Sequence, residues 1–287
     1  MDGSIIRALD GNQAWWERLS SPSHQPGPRR TIGDARVRLY AMTCGWLSAD
    51  LSMMLAGRPG KIRFPVPAYL IEHPKGRVLF DTGMHPETQH NARGRMGKLA
   101  TLFQPDFRPG EDIKSRLEQL EIDADKIEYV INSHLHFDHT GGNELVPNAK
   151  IVIQKREWEA GQVPELIEAN GYNPLDYMHG HLVEQVIGEH DLFGDGTVVT
   201  VPTFGHTPGH QSLKIKLTTG TIVLAADACY LRQTLEDMHL PGLVFDRAEM
   251  INSIFVLRKL QAAGARIFYG HDPEFWSKVP QAPLEII

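Results

Sequence analysis

The chain has 287 residues, 41% hydrophobic and 22% charged, without a polar low-complexity run, so it can bury a large core as one domain or two small ones. Its 29 basic against 35 acidic side chains give a net charge of −6, which supplies no electrostatic grip for nucleic acid, and no nucleic-acid partner is expected. Two distant cysteines, Cys44 and Cys229, exclude a disulfide framework and fit reduced thiols in the cytoplasm, and the absence of a signal-like start or of an apolar run of about 20 residues argues against secretion and a membrane.

Residues 1–34 read as an arm, because LSSPSHQPGPRR at 19–30 is rich in Ser, Pro and Gly and cannot sustain a helix. Trp15 and Trp16 within it offer apolar area for packing onto the body or onto a second subunit. Residues 35–287 read as a single composite domain. Alternating patterns predict strands at 35–42 (ARVRLYAM), 66–73 (VPAYLIEH) and 77–83 (RVLFDTG), the last two joined by the turn Pro74-Lys75-Gly76. GRPGK at 57–61 is too short for a phosphate-cradling loop and lacks the following Ser or Thr.

A helix is predicted over 111–122, where Ile113, Leu117 and Leu120 share a face and Glu111 and Asp112 favour the N-terminal end of the dipole. Strands follow at 127–133, 150–155, 182–187, 197–203, 212–217 and 221–227. A second helix is predicted at 247–264 through Met250, Ile254, Leu257 and Leu260, and the last strand at 266–270. In both halves a helix hands over to a strand that ends on a histidine, His134 and His271. That echo predicts two sheets packed face to face with helices outside.

The fourteen histidines cluster. SHLHFDHTGG places His134, His136, Asp138 and His139 directly after a buried strand, and the glycines Gly141 and Gly142 imply a turn that lets neighbouring side chains face two ions. Imidazole and carboxylate suit zinc, and also cobalt, iron or manganese. FGHTPGHQS adds His206 and His210 after another strand, and Asp227 and His271 each stand at a further strand end.

These motifs resemble the metallo-β-lactamase superfamily over residues 35–287, and SHLHFDH, GHTPGH and the Asp227-x-x-Tyr230 element are similar to its N-acyl-homoserine lactonase branch. LYAMTCGW, PAYLIEH and LFDTGM extend the likeness. The resemblance implies an αββα sandwich with two mixed sheets and two divalent ions, zinc first among them. His134, His136 and His206 would hold one ion; Asp138, His139 and His271 the other; Asp227 would bridge them. It further implies attack on the lactone ring of an N-acyl-homoserine lactone by a hydroxide between the ions, which quenches a quorum signal, and a homodimer.

In the same family frame, Asp81 orients a histidine, although a turn-forming Asp-Thr-Gly is the competing reading. Tyr230 steadies the carbonyl oxygen, against the alternative of a packed aromatic, and Asp138 passes a proton to the leaving alkoxide. Phe137, Trp46, Met53, Met54 and Met84 are candidates for an apolar acyl pocket. Cys229 reads as a buried small side chain. The arm and the long segment between His139 and His206 depart from compact members and are expected to shape the entrance to the site. Other lactones, thioesters and organophosphates are the alternative substrates for the same site.

Overall fold

The computed structural model describes residues 36–287, so the arm with Trp15 and Trp16 lies outside the described residues. Strands β1 (Arg38–Asp50), β2 (Lys61–His73) and β3 (Gly76–Phe80) form an antiparallel meander. The first two run further than the alternation predicts, because one helical turn, Leu51–Met54, and the GRPGK segment close a long hairpin, with the Leu51 amide donating to the Gly60 carbonyl at 2.9 Å. Short β4 (Gln104–Asp106) pairs with β1. Strands β5 (Tyr129–Ile131), β6 (Lys150–Gln154) and β7 (Val183–Val186) continue beyond β3, all parallel to it. The sheet order is β4-β1-β2-β3-β5-β6-β7.

The second sheet holds β8 (His190–Asp191), β9 (Val198–Pro202), β10 (Gln211–Leu217), β11 (Gly220–Leu224) and β12 (Arg266–Phe268) in the order β12-β11-β10-β9-β8, antiparallel except for β11 with β12. Alternation within the first sheet assigns its faces. Leu39, Ala41, Tyr69, Ile71, Val78 and Phe80 pack with Leu213, Ile215, Leu224 and Phe268 of the second sheet. Tyr40, Met42, Ala68, Leu70 and Leu79 pack the other way, with Ile113 and Leu117 of the helix Ile113–Glu118. Both faces of that sheet are therefore buried, and each fully buried Leu, Ile or Phe contributes roughly 1.5–3 kcal/mol.

The helix Arg247–Ala262 closes the opposite side through Met250, Ile254 and Leu257, and Asp246 caps it by accepting from the amides of Ala248 and Glu249. The result is an αββα sandwich. The predicted helix at 111–122 is shorter than its apolar spacing suggests, because Glu121 sits at φ +58 and ends it, while Leu120 stays in the core.

The echo between halves is structural. Strands β3 and β5 lie parallel and lead into Asp81 and His134; β11 and β12 lie parallel and lead into Asp227 and His271. At the first strand of each pair the chain turns through a left-handed residue that is not glycine, Asp81 at φ +58 and Ala226 at φ +46. Such backbone costs on the order of 1–3 kcal/mol and persists where the surroundings over-determine it. Both turns carry the chain from a strand into the site.

Candidate metal centre

The site lies at the carboxyl ends of the parallel strands from both sheets. After β5 the chain bends through Ser133 and Leu135, then makes one helical turn, Phe137–Thr140, started by His136. That turn breaks strand alternation and faces His134 and His136 one way, Asp138 and His139 the other. Gly270 lets the second sheet deliver its two ligand candidates side by side, since a Cβ there would stand 2.5 Å from the Ala226 carbonyl oxygen. Amides of Gly270 and His271 donate to the Cys229 and Tyr230 carbonyls, both at 2.9 Å, which locks the crossing.

Two donor groups result, His134 with His136, His206 and Asp227, and Asp138 with His139 and His271. In the first, His134 Nε2 and His136 Nδ1 are 2.9 Å apart, and His206 Nε2 stands 3.2 and 3.1 Å from them. Asp227 divides between the groups. Its Oδ2 lies 3.2 Å from His206 Nε2 and 3.6 Å from His134 Nε2, while Oδ1 lies 3.0 Å from His271 Nε2 and 3.3 Å from His139 Nε2. Asp138 Oδ2 completes the second group, 3.6 Å from His139 Nε2 and 3.8 Å from His271 Nε2.

These spacings test the fit of metal ions. Ligands bound at about 2.1 Å with tetrahedral angles stand about 3.4 Å apart, and the observed separations scatter about that value. His139 Nε2 and Asp227 Oδ1 are buried and have no hydrogen-bond partner, an arrangement that costs free energy unless a cation takes their lone pairs. Burial holds His134 far below the ordinary histidine range and His136 down at about 3, so both stay neutral and free to ligate. At His139 burial also pushes down, but the carboxylates of Asp227, Asp138 and Asp81 prevail and hold its pKa well above the usual value. The donor set suits two divalent ions.

A second layer fixes each ring by its other nitrogen. His139 Nδ1 bonds Asp81 Oδ2 at 2.8 Å, His271 Nδ1 donates to the Pro65 carbonyl at 2.8 Å, and His136 Nε2 donates to the Asn170 carbonyl at 2.7 Å. Asp81 also accepts the Ser133 amide and hydroxyl, at 2.7 and 2.8 Å, so it spans the two ends of the first motif. His210 stands behind the donors: its Nδ1 meets Thr203, and its Nε2 accepts the Asp227 amide at 3.1 Å. Replacement of Asp81 by Asn is expected to weaken metal affinity about 10–100-fold with the fold intact, measured by competition with a chromophoric chelator. Unchanged affinity would reduce Asp81 to a turn residue.

Sequence reasoning missed Glu157. This fully buried carboxylate follows β6 in the helix Lys155–Ala160 and accepts from Leu135 N (3.1 Å), Tyr172 OH (2.6 Å), Thr207 Oγ1 (2.9 Å) and Gly209 N (2.7 Å). It ties the HxHxDH turn to the GHTPGH loop. Burial raises its pKa, and those four donors oppose the rise. A lone Glu in KREWEA carries no pattern that announces this role.

A cavity of about 790 Å³ opens in front of the donors. Phe137, Met53 and Met54 line it, joined by Phe64, Phe103, Ile167, Tyr172, Tyr230 and the stretch Leu243, Val244 and Phe245. Two expected pocket residues fall elsewhere. Met84 is fully buried in the core beside Gly45, and Trp46 lies on β1 beneath the Arg63 guanidinium, 4.1 Å from the ring centroid. Trp46 follows the β1 bulge between Thr43 and Trp46, whereas Met84 stands in the irregular segment after β3 and packs into the core. The long segment between His139 and His206 does shape the entrance, because the helix Pro164–Asn170 and residues 171–173 form one wall. Cys44 and Cys229 are free and buried, and the Cys229 thiol donates to the Leu231 carbonyl rather than facing the donors.

Residues 62–271 match the Metallo-beta-lactamase superfamily. The N-acyl homoserine lactonase AttM of Azorhizobium caulinodans is 34% identical over 256 residues, 86% of this chain and 97% of that protein. The N-acyl homoserine lactonase AiiA of Bacillus thuringiensis subsp. kurstaki is 33% identical over 243 residues, 83% of this chain and 94% of that one. A solved N-acyl homoserine lactone hydrolase, with the product N-hexanoyl-L-homoserine bound at its catalytic metal center, aligns with a TM-score of 0.79 at 30% identity, covering 88% of this chain and 100% of its own. Matched along most of its length by sequence and by fold, the chain belongs to the metallo-β-lactamase superfamily, in its N-acyl-homoserine lactonase branch.

Proposed function

We propose that the protein is a dinuclear metal-dependent hydrolase that opens the lactone ring of N-acyl-homoserine lactones. The observation that carries the reading is the division of Asp227 between two donor groups at the floor of an apolar cavity. When bound, two divalent ions supply Lewis acidity and lower the pKa of water toward neutrality. Three imidazoles with a carboxylate favour zinc among the ions such donors accept. His134, His136, His206, Asp138, His139 and His271 are the proposed ligands, with Asp227 as the bridge.

The chain's own groups do the rest. Tyr230 lines the cavity, and its hydroxyl stands 3.1 Å from His206 Nδ1. Burial first, then the charges of Asp227 and Asp138, hold the phenol well above its ordinary pKa, so it remains a neutral donor for the lactone carbonyl oxygen as negative charge develops there. Water adds to the carbonyl carbon and the ring C–O bond breaks. Asp138, at the cavity floor, takes the water proton and returns it to the leaving alkoxide, giving the N-acyl-homoserine. Phe137, Met53 and Met54 exclude water beside the acyl chain.

Among the described residues no helix is long and apolar enough to cross a membrane. A homodimer in the cytoplasm belongs to the same proposal, with light scattering and cell fractionation as its checks. The decisive experiment follows ring opening by mass spectrometry with short- and long-chain acyl-homoserine lactones, beside a chelated control. Chelator-sensitive gain of one water is the expected result; no gain by a metal-replete protein would exclude the reading. Tyr230→Phe is expected to lower kcat about 10²–10³-fold while leaving metal content unchanged. A variant with full activity would remove Tyr230 from the mechanism.

A further inference from the structure

Two walls of the cavity come from distant parts of the chain, and no strand ladder joins them. One is the helix Ala92–Met96 with the turn Gly97–Thr101; the other is the helix Pro164–Asn170 with residues 171–173. Helices of five and seven residues are not stable on their own, so something else must hold the walls in place.

A buried ion pair joins them. Arg95 and Asp176 are 6% and 1% exposed, and Arg95 Nη2 donates to Asp176 Oδ1 at 2.5 Å and to the Leu175 carbonyl at 3.1 Å. In return, Asn173 Nδ2 donates to the Arg95 carbonyl at 2.7 Å. Beside this tie Leu99 lies against Gly171, where a Cβ would stand 3.2 Å from Leu99 Cδ1. The second wall is also anchored to the donor cluster, since its Asn170 carbonyl accepts from His136 Nε2 at 2.7 Å. Such a pair is a weak source of stability, because taking two charges out of water costs about as much as their attraction returns. Here Arg95 Nε and Asp176 Oδ2 are in addition buried without a hydrogen-bond partner. Burial pushes the Asp176 carboxyl up to about 7, and the guanidinium opposes that rise. What the pair does supply is fixed geometry, since losing either member strands the other as an uncompensated buried charge.

We propose that Arg95 and Asp176 are positioning residues that fix the spacing of the two cavity walls and thereby set a preference for long acyl chains. The inference rests on the lactonase reading above and adds its acyl-length class. A volume of about 790 Å³, lined as far as Leu99 and Ile167, has the size of a pocket for a drug-sized ligand. A chain between walls held at one spacing is in contact on both sides, and each methylene so buried is worth about fourfold in affinity. Walls that part admit water beside the chain, and the gain per methylene shrinks.

The test reads binding rather than turnover. Ring-opened N-hexanoyl- and N-dodecanoyl-homoserine are titrated calorimetrically into metal-replete wild type, Asp176→Asn and Arg95→Met. The wild type is expected to bind the dodecanoyl compound at least about 100-fold more tightly, and each variant to lose at least about tenfold of that ratio. A general loss of fold or metal weakens both compounds alike, so an unchanged ratio in the variants overturns the proposal, as does a wild type without chain preference. If the buried-pair variants fail to fold, Asn173→Asp removes the bond to the Arg95 carbonyl and keeps the acceptor that holds the Leu175 amide. It is expected to lower the ratio about threefold, and an unchanged ratio there counts the same way. Lactone opening by the wild type is followed alongside. Turnover with an unchanged ratio removes only the positioning role, whereas absent turnover removes the lactonase reading while the ratio still decides the walls.

Discussion

Asp227→Ala is expected to abolish lactone hydrolysis, with a loss of at least about 10³-fold, and to empty both metal positions together. The reason is the division of its carboxylate: one oxygen faces His134 and His206, the other His139 and His271, all within 3.0–3.6 Å. Removing it takes a ligand from each group and leaves buried imidazoles facing one another without the charge that balances two cations. A metal centre contributes several kcal/mol to stabilising transition-state charge, and each 1.36 kcal/mol is tenfold in rate. Elemental analysis beside a lactone assay checks the result. Retention of two ions by the variant would show that the bridge is dispensable and that each group binds alone.

The second large effect is on stability. Glu157→Ala is expected to cost about 3–5 kcal/mol and to loosen metal binding as well, because it leaves four buried donors unsatisfied at once: the amides of Leu135 and Gly209 and the hydroxyls of Tyr172 and Thr207. These donors sit on different segments that must meet for His136 and His206 to share an ion, so the damage reaches the site without touching a ligand. Denaturant unfolding of the metal-free proteins isolates the structural cost, and chelator competition then reads the affinity. A difference below about 1 kcal/mol would mean that water replaces the carboxylate.

The His and Asp side chains that meet at the strand ends were legible in the sequence because each stands at the end of an apolar run or in a dense local motif. His134, His136, Asp138 and His139 occupy one turn, and Asp227 and His271 follow strands that the alternation already marks. The sandwich was legible for the same reason: parallel strands buried on both faces leave long apolar runs, and helices announce themselves by spacing. What stayed hidden was set by tertiary approach. Glu157 gains its role only because two loops fold over it, and the cavity wall at Leu243 to Phe245 comes from a connection without periodicity. Trp46 and Met84 failed as pocket residues since chemical type says nothing of the side to which a bulged strand or a turn points them. The short helix Pro164–Asn170 was missed although its Pro and Gly punctuation was present, because its seven residues span too few turns for a pattern.

The donors that meet around Asp227 come from both sheets: His134, His136, Asp138 and His139 follow the first, while His206, Asp227 and His271 follow the second. The centre is thus a strain gauge for the sandwich. A substitution between the layers, such as Phe268→Leu or Ile215→Val, that moves one sheet against the other by a few tenths of an ångström changes ligand spacing on every side of both positions. Metal affinity is then expected to register misalignment of the halves in addition to the stability that a core substitution costs.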